Sequence, residues 1–166
     1  MTLTEERKKL IEAACKKIFD ELEESVTHLK DLGTPQISDD YDKIHAKLLT
    51  VTQIESELGY FYRSVIAVKH EVDVSKARAK ARLEDAAMEA TQKPSFKNPL
   101  ASYSTRPETD AKLRSLTIEE TYDLRVWETL SMDVQYLLQV VQSYQQDANR
   151  QRRDIDTRLK ILSLRF

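Results

Sequence analysis

From Thr117 to Phe166 the chain runs for 50 residues without a glycine or a proline. Within that stretch Trp127, Val134, Val141, Ala148, Ile155 and Leu162 recur every seven residues. A heptad spacing over such a length specifies one long helix, about 75 Å at 1.5 Å per residue, with an apolar seam along it. A companion stripe of Leu130, Leu137 and Tyr144 runs beside the first, then turns polar at Gln151, Arg158 and Arg165. Leu159 and Phe166 shift the apolar face sideways near the end. A long helix cannot bury its own seam. Homo-oligomerisation is therefore expected through Trp127, Leu130, Val134, Leu137, Val141, Tyr144, Ala148, Ile155 and Leu162.

A second ladder precedes it. Ile44, Val51, Leu58, Val65, Val72 and Ala79 also fall seven apart, with Leu48, Tyr62 and Leu83 on an adjacent stripe. No proline interrupts residues 53–90, so a helix packed along its length is expected there. Ser38, Asp39 and Asp40 offer alternative N-caps upstream of Tyr41, Ile44, Leu48 and Leu49. The β-branched Thr50-Val51-Thr52 is expected to weaken or break that helix, with a restart at the capping box Thr52-x-x-Glu55. Gly59 lies inside it, either to admit a close helix approach or as a tolerated blemish costing about 1 kcal/mol relative to alanine.

The N-terminal region reads as a helix over 3–32. Thr2-x-x-Glu5 opens it as a capping box, and Gly33 followed by Pro35 ends it. Its apolar stripe is Leu10, Ile11, Ala14, Ile18, Leu22, Val26 and Leu29. Residues 91–106 contain Pro94 and Pro99 among Ser, Asn and Thr, which reads as a loop. Thr105-Arg-Pro107-Glu108 then resembles an N-cap with proline in the first turn, so a short helix should follow. The whole is an all-α fold of long helices with heptad-like seams. Its segments are an N-terminal helix (1–33), a helical basic-face region (34–90), a polar basic loop with a short helix (91–116) and a long C-terminal oligomerisation helix (117–166). Together they make a helical core plus an oligomerisation helix.

Only 2 glycines and 4 prolines occur in 166 residues, too few for the turns of a many-stranded fold. Two glycines also cannot build a phosphate-cradling loop, and no GxGxxG, GxxxxGK[ST] or GxSxG occurs. His28, His45 and His70 are far apart, with no Cys/His cluster, so neither a metal nor another cofactor is expected. Carboxylate pairs such as Glu119–Glu120 and Asp39–Asp40 sit at helix starts, where negative charge is favourable. The chain therefore reads as a non-enzyme. A single Cys15 fits a reducing cytosol, no apolar run reaches membrane length, and the N-terminal stretch lacks a signal-peptide core. A cytoplasmic protein with no membrane association is expected.

The formal net charge of −2 hides segregation. Residues 63–82 carry +4, residues 91–114 carry +3 and residues 150–166 carry +4. In the first block Lys69, Lys76 and Lys80 share a face, with Arg78 and Arg82 read as an i,i+4 pair beside it. In the second, Lys93, Lys97 and Arg106 are interleaved with Phe96 and Tyr103. Single-stranded nucleic acid calls for this chemistry, because cations track phosphates while rings stack bases. The candidate nucleic-acid-binding residues are accordingly Lys69, Lys76, Arg78, Lys80, Arg82, Lys93, Phe96 and Lys97. The plainer alternative is a solvated helix face, with Phe96 and Tyr103 pinning the loop. The third block, Arg150, Arg152, Arg153, Arg158, Lys160 and Arg165, reads mainly as charge complementing the helix macrodipole. Tyr60, Phe61 and Tyr62 point to different helical faces, so at least one should be exposed.

Ala79-Lys-Ala-Arg-Leu-Glu84, preceded by a helix with Glu55, Leu58 and Tyr62, resembles the UvsY-type recombination mediators of T-even-like phages. Their helix carries Leu-Lys-Ala-Arg-Leu-Asp-Tyr-Tyr. Lys80, Ala81, Arg82 and Leu83 match in type and Glu84 by charge, whereas Asp85 and Ala86 replace the tyrosines. The downstream order is similar over residues 53–166: a polar loop, a short segment, then a long helix around Trp127. Residues 1–32 are extra. The resemblance implies DNA contacts at Lys80 and Arg82, to which charge and helical proximity add Lys76 and Arg78. It further implies an oligomeric ring, with a heptamer as the expected count. It implies single-stranded-DNA binding and the loading of a RecA-like recombinase onto DNA coated by single-strand-binding protein, in DNA recombination and repair. The alternative is a helical adaptor that assembles a phage or cellular complex through its coiled-coil segment.

Overall fold

A computed structural model of the protein describes residues 3–36, 39–92 and 106–164, the side chains of Leu3 and residues 106–109 aside. Every regular element among them is a helix: α1 (Leu3–Leu32), α2 (Tyr41–Gln92), α3 (Arg106–Leu116) and α4 (Ile118–Ser163). The fold is all-α. No helix among the described residues is long and apolar enough to cross a membrane.

Local chemistry accounts for the element ends. Gly33 closes α1 with φ of +61°, the left-handed conformation that glycine adopts without a side-chain penalty. Its N–H donates to the Lys30 carbonyl at 3.3 Å. Of the three candidate caps, Asp40 serves α2, its Oδ1 accepting from the Lys43 N–H at 2.9 Å. Asp39 instead holds the preceding turn, accepting from the Gln36 N–H at 2.9 Å and from Lys47 Nζ at 3.1 Å. Those donors keep the Asp39 carboxyl below its usual value of 3.8, the backbone bond from Gln36 first. The α3–α4 junction is Thr117 alone. Its hydroxyl donates to the Leu113 carbonyl at 3.1 Å rather than capping α4.

One expected interruption is absent. α2 passes unbroken through Thr50-Val51-Thr52, where both hydroxyls bond back one turn, to the Ala46 and Leu48 carbonyls at 3.1 and 2.8 Å. Val51 is meanwhile wholly buried. Gly59 is a blemish rather than a point of close approach: a Cβ there would meet only Arg63 Nη1, at 3.9 Å.

The chain packs as two compact units, and α1, α2 and α4 each contribute to both. Residues 10–68 and 134–166 form one unit. Its core brings Ile11, Ile18, Leu22, Val26 and Leu29 against Ile44, Val51, Ile54, Leu58, Phe61 and Val65 of α2. The α4 side supplies Val134, Leu137, Leu138, Val141, Ala148 and Ile155. Each such side chain contributes about 1.5–3 kcal/mol on burial. Polar links set the register: Ser25 Oγ donates to Glu57 at 2.7 Å, Gln145 to the Leu58 carbonyl at 3.3 Å, and Arg152 to Glu55 at 2.7 Å. As α4 numbers rise from 145 to 152 their α2 partners fall from 58 to 55, so these segments run antiparallel.

The other unit comprises residues 1–9 and 69–133. Val72, Ala79 and Ala90 of α2 are buried with Val126, Trp127 and Leu130 of α4. Thr4 donates to Asp123 at 3.1 Å, and Tyr122 to Glu5 at 3.4 Å, tying the first turns of α1 to α4.

Two sequence expectations are corrected. Leu10, placed on the buried stripe of α1, is 71% exposed, while Ile11 takes the core position. The α4 seam also needs no second copy to cover it. Trp127, Leu130, Val134, Leu137, Val141, Ala148 and Ile155 are buried, and Tyr144 and Leu162 half-buried, within one chain. Three seamed helices bury one another, a solution that a single-helix argument does not consider.

Candidate nucleic-acid interface

The basic segment of α2 lies on the buried ladder Val72–Ala79, and 3.6 residues per turn distributes its cations around that ladder. At about 100° per residue, Lys69, Lys76 and Lys80 fall within about 40° of one another. Arg78 and Arg82 fall about 140–180° from Lys69 around the axis. The five cations therefore do not form one face, which corrects the reading of the arginines as lying beside the lysines. They occupy two flanks of the buried stripe.

The lysine flank is partly neutralised. Lys69 pairs with Asp73 one turn on, and Lys80 reaches Glu84 at 4.0 Å with both side chains about two-thirds exposed. Exposed i,i+4 pairs of this kind are worth only about 0.3–0.5 kcal/mol, so a phosphate can displace them. Lys76 is half-buried.

The arginine flank is different. Arg78 and Arg82 are exposed and form no ion pair among the described residues. They line a cleft of about 120 Å³ with Arg7, Thr4, Ser75, Ala79, Asp123 and Trp127, all of one packing unit. Arg7 is not distinguishable from the sequence. It stands in the mixed-charge run Glu5-Glu6-Arg7-Lys8-Lys9, where nothing sets it apart by composition. Its one signal is register, four residues before Ile11 on the stripe that α1 buries.

Lys93, Phe96 and Lys97 lie outside the described residues, as does Tyr103. Tyr60, Phe61 and Tyr62 divide as helical geometry requires: Tyr60 is 59% exposed, Phe61 buried and Tyr62 half-buried. Part of the C-terminal basic block is engaged. Arg152 pairs with Glu55 at 2.7 Å and approaches Asp156 at 4.0 Å, while Arg150 lies 3.8 Å from Asp147.

The apolar surface that α4 leaves open is not its seam. Ile118, Tyr122 and Met132 are each more than half exposed and fall within an arc of about 80°. No protein-family model, curated protein or solved structure matches this chain.

Proposed function

We propose that the protein is a non-enzymatic, single-stranded-DNA-binding recombination mediator that loads a RecA-like recombinase onto DNA coated by single-strand-binding protein. The observation that carries this reading is the exposed basic segment of α2. Lys80 and Arg82, the positions matching the mediator motif, both stand in solvent on a rigid helix. A second support is element order, in which a short α3 and a long α4 follow the basic helix.

The mechanism needs no bond chemistry. Cations on α2 neutralise phosphates and release counterions, so affinity falls steeply with salt. Several copies on one strand convert modest affinity per subunit into avid binding. Because one chain covers the α4 seam, self-association falls to the exposed stripe of Ile118, Tyr122 and Met132. A strand held along several subunits is partly freed of its coat and offered to the recombinase, in the cytoplasm where that substrate forms.

The test is recombinase filament assembly on coated single strands, with and without the protein. Faster nucleation with wild type, lost in Lys80→Ala/Arg82→Ala, is expected. Unchanged nucleation would refute the reading. The same exposed stripe favours a second reading, a helical adaptor that docks a protein partner there. In that case Met132→Glu abolishes function while the α2 double variant leaves it intact.

A further inference from the structure

The Arg7, Arg78 and Arg82 cleft unites residues from two helices far apart in sequence, and three observations about it point to one ligand chemistry. The first is charge. Three guanidiniums face a single carboxylate, Asp123, which is already engaged by the Thr4 hydroxyl at 3.1 Å. The arginines have no ion pair among the described residues, although carboxylates are abundant in this chain.

The second is Ser75. It is 6% exposed, lines the cleft, and makes no hydrogen bond among the described residues. Elsewhere in these helices, Thr50, Thr52, Ser64, Thr129 and Thr157 all bond back to the carbonyl four residues earlier. Ser75 makes no such bond, and its hydroxyl is open to an acceptor in the cleft.

The third is size. A cleft of about 120 Å³ has room for a tetrahedral oxyanion. Guanidinium forks and a hydroxyl converging from several directions suit an anion with three or four acceptor oxygens better than a planar carboxylate, which one arginine can satisfy.

We infer that Arg7, Arg78, Arg82 and Ser75 form a phosphate-recognition site that grips one phosphate of a bound nucleic-acid strand, apart from the lysine flank of α2. The inference rests on the single-strand-binding reading for its ligand, while the phosphate chemistry stands on the cleft alone. The first turns of α1 are then part of the binding machinery, because Arg7 completes the site.

Trp127, the single tryptophan of the chain, lines the cleft and reports on it directly. The full-length protein is titrated with inorganic phosphate, followed by Trp127 emission and by calorimetry, and separately with a fluorescein-labelled oligothymidylate by anisotropy. Saturable phosphate binding is expected in wild type, weakened about tenfold or more in Arg7→Gln and less in Arg7→Lys. Lys17→Gln removes one charge from the same helix outside the cleft and is expected to leave phosphate binding unchanged. Oligothymidylate affinity should fall about tenfold with Arg7→Gln. Circular dichroism checks that each variant keeps its helix content.

Absence of phosphate heat and of any emission change in wild type overturns the site. Phosphate binding lost in Arg7→Gln with strand affinity unaltered overturns the strand as its ligand, leaving a free phosphate compound as the occupant. Phosphate binding by a wild type that holds no oligonucleotide confirms the cleft chemistry and overturns both the strand as ligand and the single-strand-binding reading.

Discussion

Residues 63–82 and 150–166 carry the same net charge of +4, yet the fold uses them differently. In the C-terminal block Arg152 is bound to Glu55, whose carboxylate side chain is only 16% exposed, and Arg150 and Arg152 have further acidic neighbours on their own helix. Arg152 thereby holds α4 to α2. In the α2 block Lys69 and Lys80 pair along their own helix, whereas Arg78 and Arg82 meet no carboxylate within pairing distance among the described residues. Equal charge in sequence thus separates into cations that build the fold and cations available to a ligand. What distinguishes Arg152 from Arg78 and Arg82 is a carboxylate of the neighbouring helix within pairing distance.

The largest expected effect comes from the frame that both blocks depend on. Val134 is wholly buried on the α4 seam, and Val134→Asp places an unpaired carboxylate there. A loss of about 4 kcal/mol or more is expected, seen as collapse of the thermal transition in circular dichroism. A fold that tolerated it would break the comparison at its base, since the seam would then not be the core.

Next, Arg78→Gln/Arg82→Gln should weaken single-strand affinity about 100-fold, two charge-assisted hydrogen-bonding groups being removed, with the melting temperature unchanged. Arg152→Ala should do the reverse. It should lower stability by about 1 kcal/mol, given that the arginine is half-exposed, and leave strand affinity intact in the same anisotropy assay. Were both blocks to affect both readouts equally, the division of labour would be wrong. Gly59→Ala sharpens the frame in the other direction: with only the flexible end of Arg63 nearby, it should raise stability by about 1 kcal/mol.

The smallest effect is at the α1–α2 turn. The Asp39 carboxyl titrates below its usual value, so its stabilising contribution is complete above the ordinary carboxylate range and is lost as pH falls through the lowered value. Asp39→Asn should therefore reduce stability at neutral pH and make no difference at strongly acidic pH, read from melts across pH.

Much of the frame is legible in the sequence. The limits of α1 follow from Gly33 and the absence of earlier breakers, and the two heptad ladders mark the cores of α2 and α4. What escapes is tertiary. A seam on one helix says that something covers it, not whether the cover is a second copy or two more helices of the same chain. The Thr50-Val51-Thr52 break fails because the burial of Val51 outweighs weak local propensity. The basic segment is legible as charge, but its division into two flanks follows only from placing each cation relative to Val72 and Ala79. Arg7 lies on the extension of the α1 stripe, a position that composition cannot reveal.

The central claim is that cations exposed on α2 bind single-stranded nucleic acid. Its most direct test is anisotropy of a labelled single strand across a salt series, comparing wild type with Lys80→Ala/Arg82→Ala. The account predicts that log affinity falls linearly with log salt, and that the variant both binds more weakly and has a slope shallower by about 0.7 for each phosphate no longer neutralised. A wild type that does not bind at low salt, or a variant that binds with the same affinity and slope, would contradict it.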